Sequence, residues 1–115
     1  MTGTYPTDEY CIFCRIIARN APAKLRYESE HVVAFDDHRP KAPTHVLICP
    51  KGHYPTFMET PDEVLAQLEA EIKIVAERLG VGERGFRMVV NNGRESGQLV
   101  FHLHYHLLAG TVMGF

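Results

Sequence analysis

Long apolar runs are missing from this chain. No stretch of its 115 residues approaches the ~20 consecutive apolar side chains that a bilayer crossing needs. The amino terminus, MTGTYPTDEY, has neither the basic region nor the apolar core of a secretory signal. The expectation is a cytoplasmic protein with no membrane partner. Clusters of Lys and Arg are missing too. Twelve basic residues against fourteen acidic ones give a net charge of −2, which argues against a nucleic-acid groove binder that must neutralise several phosphates in a row. A small anion is a different matter, because backbone N–H groups and a few polar side chains can hold one phosphate. Repeats, linkers and charge blocks are also lacking, and three cysteines, an odd number, do not make a disulfide framework.

What is present has globular proportions. Hydrophobic residues at 45% and charged residues at 23% exclude disorder and low-complexity sequence. The length suits one domain of ~100–200 residues. Such a domain buries about two-thirds of its unfolded surface, and a bound metal or a twin subunit would add to its reserves. Residues 1–10 are polar and aperiodic and read as a flexible leader; 11–115 read as a single domain.

Ile12, Ile16 and Phe13, Ile17 stand at i,i+4 spacing, which predicts a short helix over Cys11–Ala18. Leu25–Glu28 and His31–Asp36 predict an antiparallel hairpin. The two prolines of Asp37–Pro43 predict a loop, and Thr44–Cys49 a strand. A long helix is expected over 61–79, with Thr60 as N-cap, Pro61 in the first helical position and Glu63 completing a capping box. Its buried stripe would be Val64, Leu68, Ile72, Val75 and Leu79. Phe86–Val90 and Phe101–Leu108 are the remaining strands, with a polar, glycine-bearing turn between them. The connections are too short for parallel crossovers. The expected fold class is α+β, with about five mainly antiparallel strands, one long helix and one short one.

Seven histidines are the unusual feature, and three of them fall at 102, 104 and 106. On a strand these would share one face, while Leu103, Tyr105 and Leu107 take the other. Three imidazoles on one face do not suit core packing. They could bind metal, but Asn91, Gly97, Gln98 and His45 lie in the adjoining segments, and such neutral polar groups can orient an imidazole or bind phosphate oxygens. That setting suits nucleophilic catalysis in which a neutral ring attacks phosphorus and water later frees the product. Cys11-Ile-Phe-Cys14 has the spacing of half a zinc site. The redox alternative, a thioredoxin-like pair, lacks its βαβ setting.

Ile12-Phe-Cys-Arg-Ile-Ile17, Ala34-Phe-Asp-Asp37, Ala42-Pro-Thr-His45, Ile48-Cys-Pro-Lys-Gly-His53, Met88-Val-Val-Asn91 and Gly97-Gln-Leu-Val-Phe-His-Leu-His-Tyr-His106 together resemble the histidine triad superfamily. The likeness is to its nucleotide-binding branch and spans nearly the whole chain. It implies a purine nucleoside phosphoramidase, or a related nucleotidyl hydrolase, acting through a covalent nucleotidyl intermediate on His104. In that resemblance the carbonyl at 102 holds the His104 ring, and His45 and His106 support it. Asn91, Gly97 and Gln98 surround the phosphate and leaving group. Phe13, Ile16, Phe35 and Leu47 line the nucleoside pocket, and Asp37 binds the ribose hydroxyls. It also implies a homodimer, no catalytic metal and, as in some bacterial members, a structural zinc on Cys11, Cys14, His53 and His102. Two residues depart from the nearest relatives: Leu99 replaces a hydroxyl residue, and His38 replaces an aliphatic one against the base. Alternatives are cleavage of dinucleoside polyphosphates, and a zinc-stabilised nucleotide-binding protein whose catalysis is vestigial, which Leu99 would favour. Cys49 reads as a buried small hydrophobe and His31 as a solvated turn residue.

Overall fold

Alternation of side chains explains the architecture. In the computed structural model, which describes residues 5–114, five strands form one sheet in the order β1-β2-β3-β5-β4, every neighbouring pair antiparallel. They are β1 (Leu25–Glu28), β2 (Val32–Asp36), β3 (Thr44–Pro50), β4 (Arg87–Val90) and β5 (Tyr105–Ala109). Val32, Ala34, Val46, Ile48, Tyr105 and Leu107 face helix α2 (Asp62–Arg78), meeting Leu68, Ile72, Val75 and Ala76. Val33, Phe35, Leu47 and Cys49 face the opposite way, onto Phe13 and Ile16 of the short helix α1 (Ile12–Ile17). Both faces of the central strands are therefore covered, which is why β2 and β3 read as nearly continuous apolar runs. This is the α+β arrangement expected from the sequence. Cys49 is fully buried and His31 is exposed.

Three local expectations need correction. Thr60 does not cap α2: its hydroxyl donates to the Thr56 carbonyl at 2.7 Å, and Pro61, extended at φ −60° and ψ 146°, takes the capping position with no side-chain bond. The capping box with Glu63 is thus not made. The carboxylates of Asp62 and Glu63 instead stand in the first turn, where the helix dipole favours them. The stripe is also shorter than expected. Val64 and Leu79 are half-buried at its ends, whereas Glu71 is buried in it, accepting from the Tyr27 hydroxyl and the Gln67 amide at 2.6 Å each.

The third correction concerns the histidines. The last ladder begins at Tyr105, not Phe101, so His102 and His104 precede the strand. Tyr105 pairs with Ile48, and continuing that register would set Leu103 against Pro50, which has no N–H to give. Leu103 donates to the Tyr54 carbonyl instead. The alternation nevertheless continues: Leu103 joins the core on the α2 side, and the rings of His102 and His104 lie against Phe13 on the other. Phe86 likewise falls outside β4, which starts at Arg87 opposite Leu108, near the end of β5. Residues 1–4 of the expected leader and Phe115 lie outside the described residues; the Pro6 carbonyl accepts the His53 N–H at 2.7 Å.

Candidate functional site

A cavity of about 800 Å³ opens on the α1 side of the sheet. Its floor is apolar: Phe13 and Ile16 from α1, Phe35 from β2 and Leu47 from β3, all buried. Phe13 meets Phe35 edge-on at 5.3 Å between ring centroids and His104 at 5.0 Å. Asp37 and His38, which follow β2, also line the cavity, as do Asn91, Gly97, Gln98, His104 and His106. Gly97 is needed where it is, because its φ of +94° lies in the left-handed region that a Cβ disfavours. The structure thus gathers every nucleotide-binding and catalytic candidate around one cavity except His45, which lies buried behind His106.

Hydrogen bonds fix which nitrogen of each ring carries the proton. The Lys41 N–H donates to His45 Nδ1 at 3.0 Å, so a neutral His45 holds its hydrogen on Nε2. That nitrogen lies 2.9 Å from His106 Nδ1 and 3.4 Å from Asp37 Oδ2. His106 accepts on Nδ1 and keeps an N–H on Nε2 for the cavity it lines. His104 Nδ1 lies 2.8 Å from the His102 carbonyl and must donate to it, which leaves Nε2 with a free lone pair. Burial lowers the pKa of all three rings below the usual histidine value, His106 to about 4 with help from the neighbouring imidazoles. Neutral rings with defined tautomers result, His104 presenting a free lone pair and its neighbour His106 an N–H.

The second cluster lies on the far side of residue 102. His102, with no exposed surface, donates from Nε2 to the Pro50 carbonyl at 2.9 Å, so its lone pair is on Nδ1. Cys11 Sγ stands 3.4 Å from that nitrogen, His53 Nδ1 3.3 Å and Cys14 Sγ 3.6 Å; Cys14 Sγ is 3.5 Å from His53 Nδ1. A tetrahedral zinc with ordinary bond lengths would put two nitrogens ~3.3 Å apart and nitrogen and sulfur ~3.6 Å apart. The four side chains fit such an ion, and all their ligand atoms lie within 4.8 Å of one another. Burial pushes the Cys14 thiol up to about 11, the opposite of what a reactive redox thiol needs. Asp37, His45 and His106 are also close together, but the His45 Nε2–H points between the other two, which makes a hydrogen-bond relay rather than a ligand set.

Several contributors escaped the sequence reading. The Pro50 carbonyl and the Lys41 N–H, which set two of the tautomers, are backbone groups that no side-chain pattern reveals. Gln98 is more internal than expected. Its Oε1 accepts the Gly93 N–H at 2.7 Å, and its Nε2 donates to the Pro55 and Val100 carbonyls at 2.8 and 3.0 Å. Ile12 and Val100 also line the cavity.

Comparison with known proteins gives the family. The HIT domain family matches residues 18–113. An uncharacterized HIT-like protein of Methanocaldococcus jannaschii is 46% identical over 99 residues, covering 85% of this chain and 77% of that one. The purine nucleoside phosphoramidase of Escherichia coli K12 is 38% identical over 109 residues, 92% of each chain. The solved HIT family hydrolase of Clostridium thermocellum superimposes with a TM-score of 0.88 at 46% identity, over 94% of this chain and 96% of that one.

Proposed function

The chain belongs to the HIT domain family, and from that premise we propose that it is a purine nucleoside phosphoramidase that cleaves a P–N bond through a nucleotidyl-histidine. One observation carries the reading: the bond from His104 Nδ1 to the His102 carbonyl aims an unprotonated Nε2 at a nucleotide-sized cavity. The purine packs on Phe13, Ile16, Phe35 and Leu47 beside His38, and the Asp37 carboxylate accepts from the ribose hydroxyls. The Nε2 lone pair of His104 then forms a bond to phosphorus while the bond from phosphorus to the amine breaks. The departing nitrogen takes the Nε2 proton of His106. Water attacks the adduct next, the bond from phosphorus to His104 breaks, and a water proton returns to His106. Asn91 donates to the phosphate oxygens; Gly97 and Gln98 shape the wall beside it, their N–H groups given to the Arg94 and Gly93 carbonyls and the Gln98 side chain bracing the loop.

No catalytic metal enters this scheme. Cys11, Cys14, His53 and His102 would hold a structural zinc, and such a closed four-ligand set would tie α1 to the segment carrying the nucleophile. The active unit is a homodimer. β4 is an edge strand with Met88 and Val90 exposed on one face, and a second copy pairing along it would cover both. No described helix is long and apolar enough to cross a membrane, and the cytoplasm is the compartment we assign. The test is incubation with adenosine 5′-phosphoramidate. Release of nucleoside monophosphate, with an acid-labile nucleotidyl adduct trapped on His104 by rapid quenching, is the expected result. No turnover of that substrate or its guanosine counterpart would overturn the reading.

A further inference from the structure

Residues 6–11 fold against the Cys/His cluster through backbone and one side chain. The Pro6 carbonyl accepts the His53 N–H at 2.7 Å, and the Asp8 carbonyl accepts the Cys11 N–H at 3.0 Å. The Asp8 carboxylate closes a local turn, its Oδ1 accepting the Tyr10 N–H at 2.9 Å. Its second oxygen, Oδ2, lies 3.8 Å from His53 Nε2. That contact falls on the nitrogen the cluster does not use. His53 Nδ1 is 3.3 Å from His102 Nδ1 and 3.5 Å from Cys14 Sγ, so it is the nitrogen turned toward the other ligand atoms. A neutral His53 that gives this lone pair to a metal keeps its hydrogen on Nε2. The other imidazole of the set does the same and gives its Nε2–H to the Pro50 carbonyl. Metal-binding imidazoles ordinarily have such an outer acceptor, which fixes the tautomer and raises the basicity of the ligand. For His102 it is a carbonyl, and for His53 the acid in reach is Asp8.

We propose that Asp8 is the outer partner of His53: its carboxylate faces the Nε2–H, favours the ring orientation with Nδ1 turned inward, and so sets how tightly the cluster keeps its metal. This rests on the zinc reading and adds to it a positioning residue that touches no metal. The His53 side chain is 15% exposed and that of Asp8 44%, so the pair stands at the edge of the cluster, where water screens the carboxylate more than the ring. A separation of 3.8 Å is that of an ion pair rather than of a hydrogen bond. Outer partners are worth about 10–100-fold in metal affinity, and the lower end, about tenfold, suits this exposed and longer contact.

The experiment loads the full-length protein with zinc and measures its affinity by competition with a chromogenic zinc chelator. Asp8→Asn keeps the size of the side chain and an oxygen for the Tyr10 N–H but removes the charge, and it should bind zinc about tenfold more weakly than the parent. Glu9→Gln, which removes the neighbouring charge, should bind as the parent does. In a His53→Cys background the cluster becomes a set of three thiolates and one imidazole, with no N–H for Asp8 to face, and Asp8→Asn should then change nothing. Unchanged affinity in Asp8→Asn, an equal loss in Glu9→Gln, or a loss that persists beside His53→Cys overturns the proposal while leaving the zinc reading intact. A parent protein that takes up no zinc removes both.

Discussion

His102 and His104 are two residues apart, share a side of the sheet and both touch Phe13, yet their rings face different clusters. The difference lies in which nitrogen a backbone carbonyl occupies. Pro50 takes the Nε2–H of His102 and leaves Nδ1 facing two cysteines and His53. The carbonyl of His102 itself takes the Nδ1–H of His104 and leaves Nε2 facing the cavity. Identical side chains present different nitrogens to different surroundings because the main chain chooses their tautomers, and on the proposed reading one becomes a ligand and the other a nucleophile. The two regions also meet at one bond, since His102, a member of the Cys/His cluster, supplies the carbonyl that orients the His104 ring.

The sharpest test of that division is a crossed pair of variants. His104→Ala should lower phosphoramidate turnover by about 10⁴-fold or more while retaining one zinc per chain by elemental analysis. Cys14→Ser should lose the zinc and melt about 10 °C lower by calorimetry. Zinc loss in the first variant, or full zinc occupancy in the second, would erase the distinction between the regions. A smaller effect is expected at the proton donor. His106→Ala should reduce kcat by roughly 10²–10⁴-fold. The deficit should shrink for substrates with poorly basic amines, which depart without a proton, and a uniform deficit would place His106 outside proton transfer. The smallest effect is on pH. His106 binds its proton less readily folded than unfolded, so its contribution to stability is complete above about 6.5 and lost as pH falls toward about 4. Denaturant titrations between pH 7 and 4 should show this fall, reduced in His106→Gln.

Much of the fold was legible in side-chain pattern. The β2 and β3 runs stand out as continuous apolar, β-branched segments, while the stripe through Leu68, Ile72 and Val75 and the opposed faces of residues 102–107 come from side-chain period. The failures share a cause. Thr60 has the right chemistry for a cap, but the nearby Thr56 carbonyl takes its hydroxyl. The ladder stops short of His104 because of a proline more than fifty residues earlier in the chain, which only the register of β3 against β5 reveals. At the site, residue types pointed to the imidazoles. Their proton positions depend on the Pro50 and His102 carbonyls and the Lys41 N–H, which carry no side-chain signature.

The inward hydrogen bonds of Gln98 have a kinetic meaning as well. A rim loop that must order itself around each ligand loses backbone freedom at every encounter, about 1–2 kcal/mol per residue fixed. Here the amide of one buried glutamine already joins Gly93, Pro55 and Val100, so that loss is met once, when the chain folds. A ligand of the proposed kind should therefore enter and leave without this loop closing over it, its residence time following its own contacts with the walls.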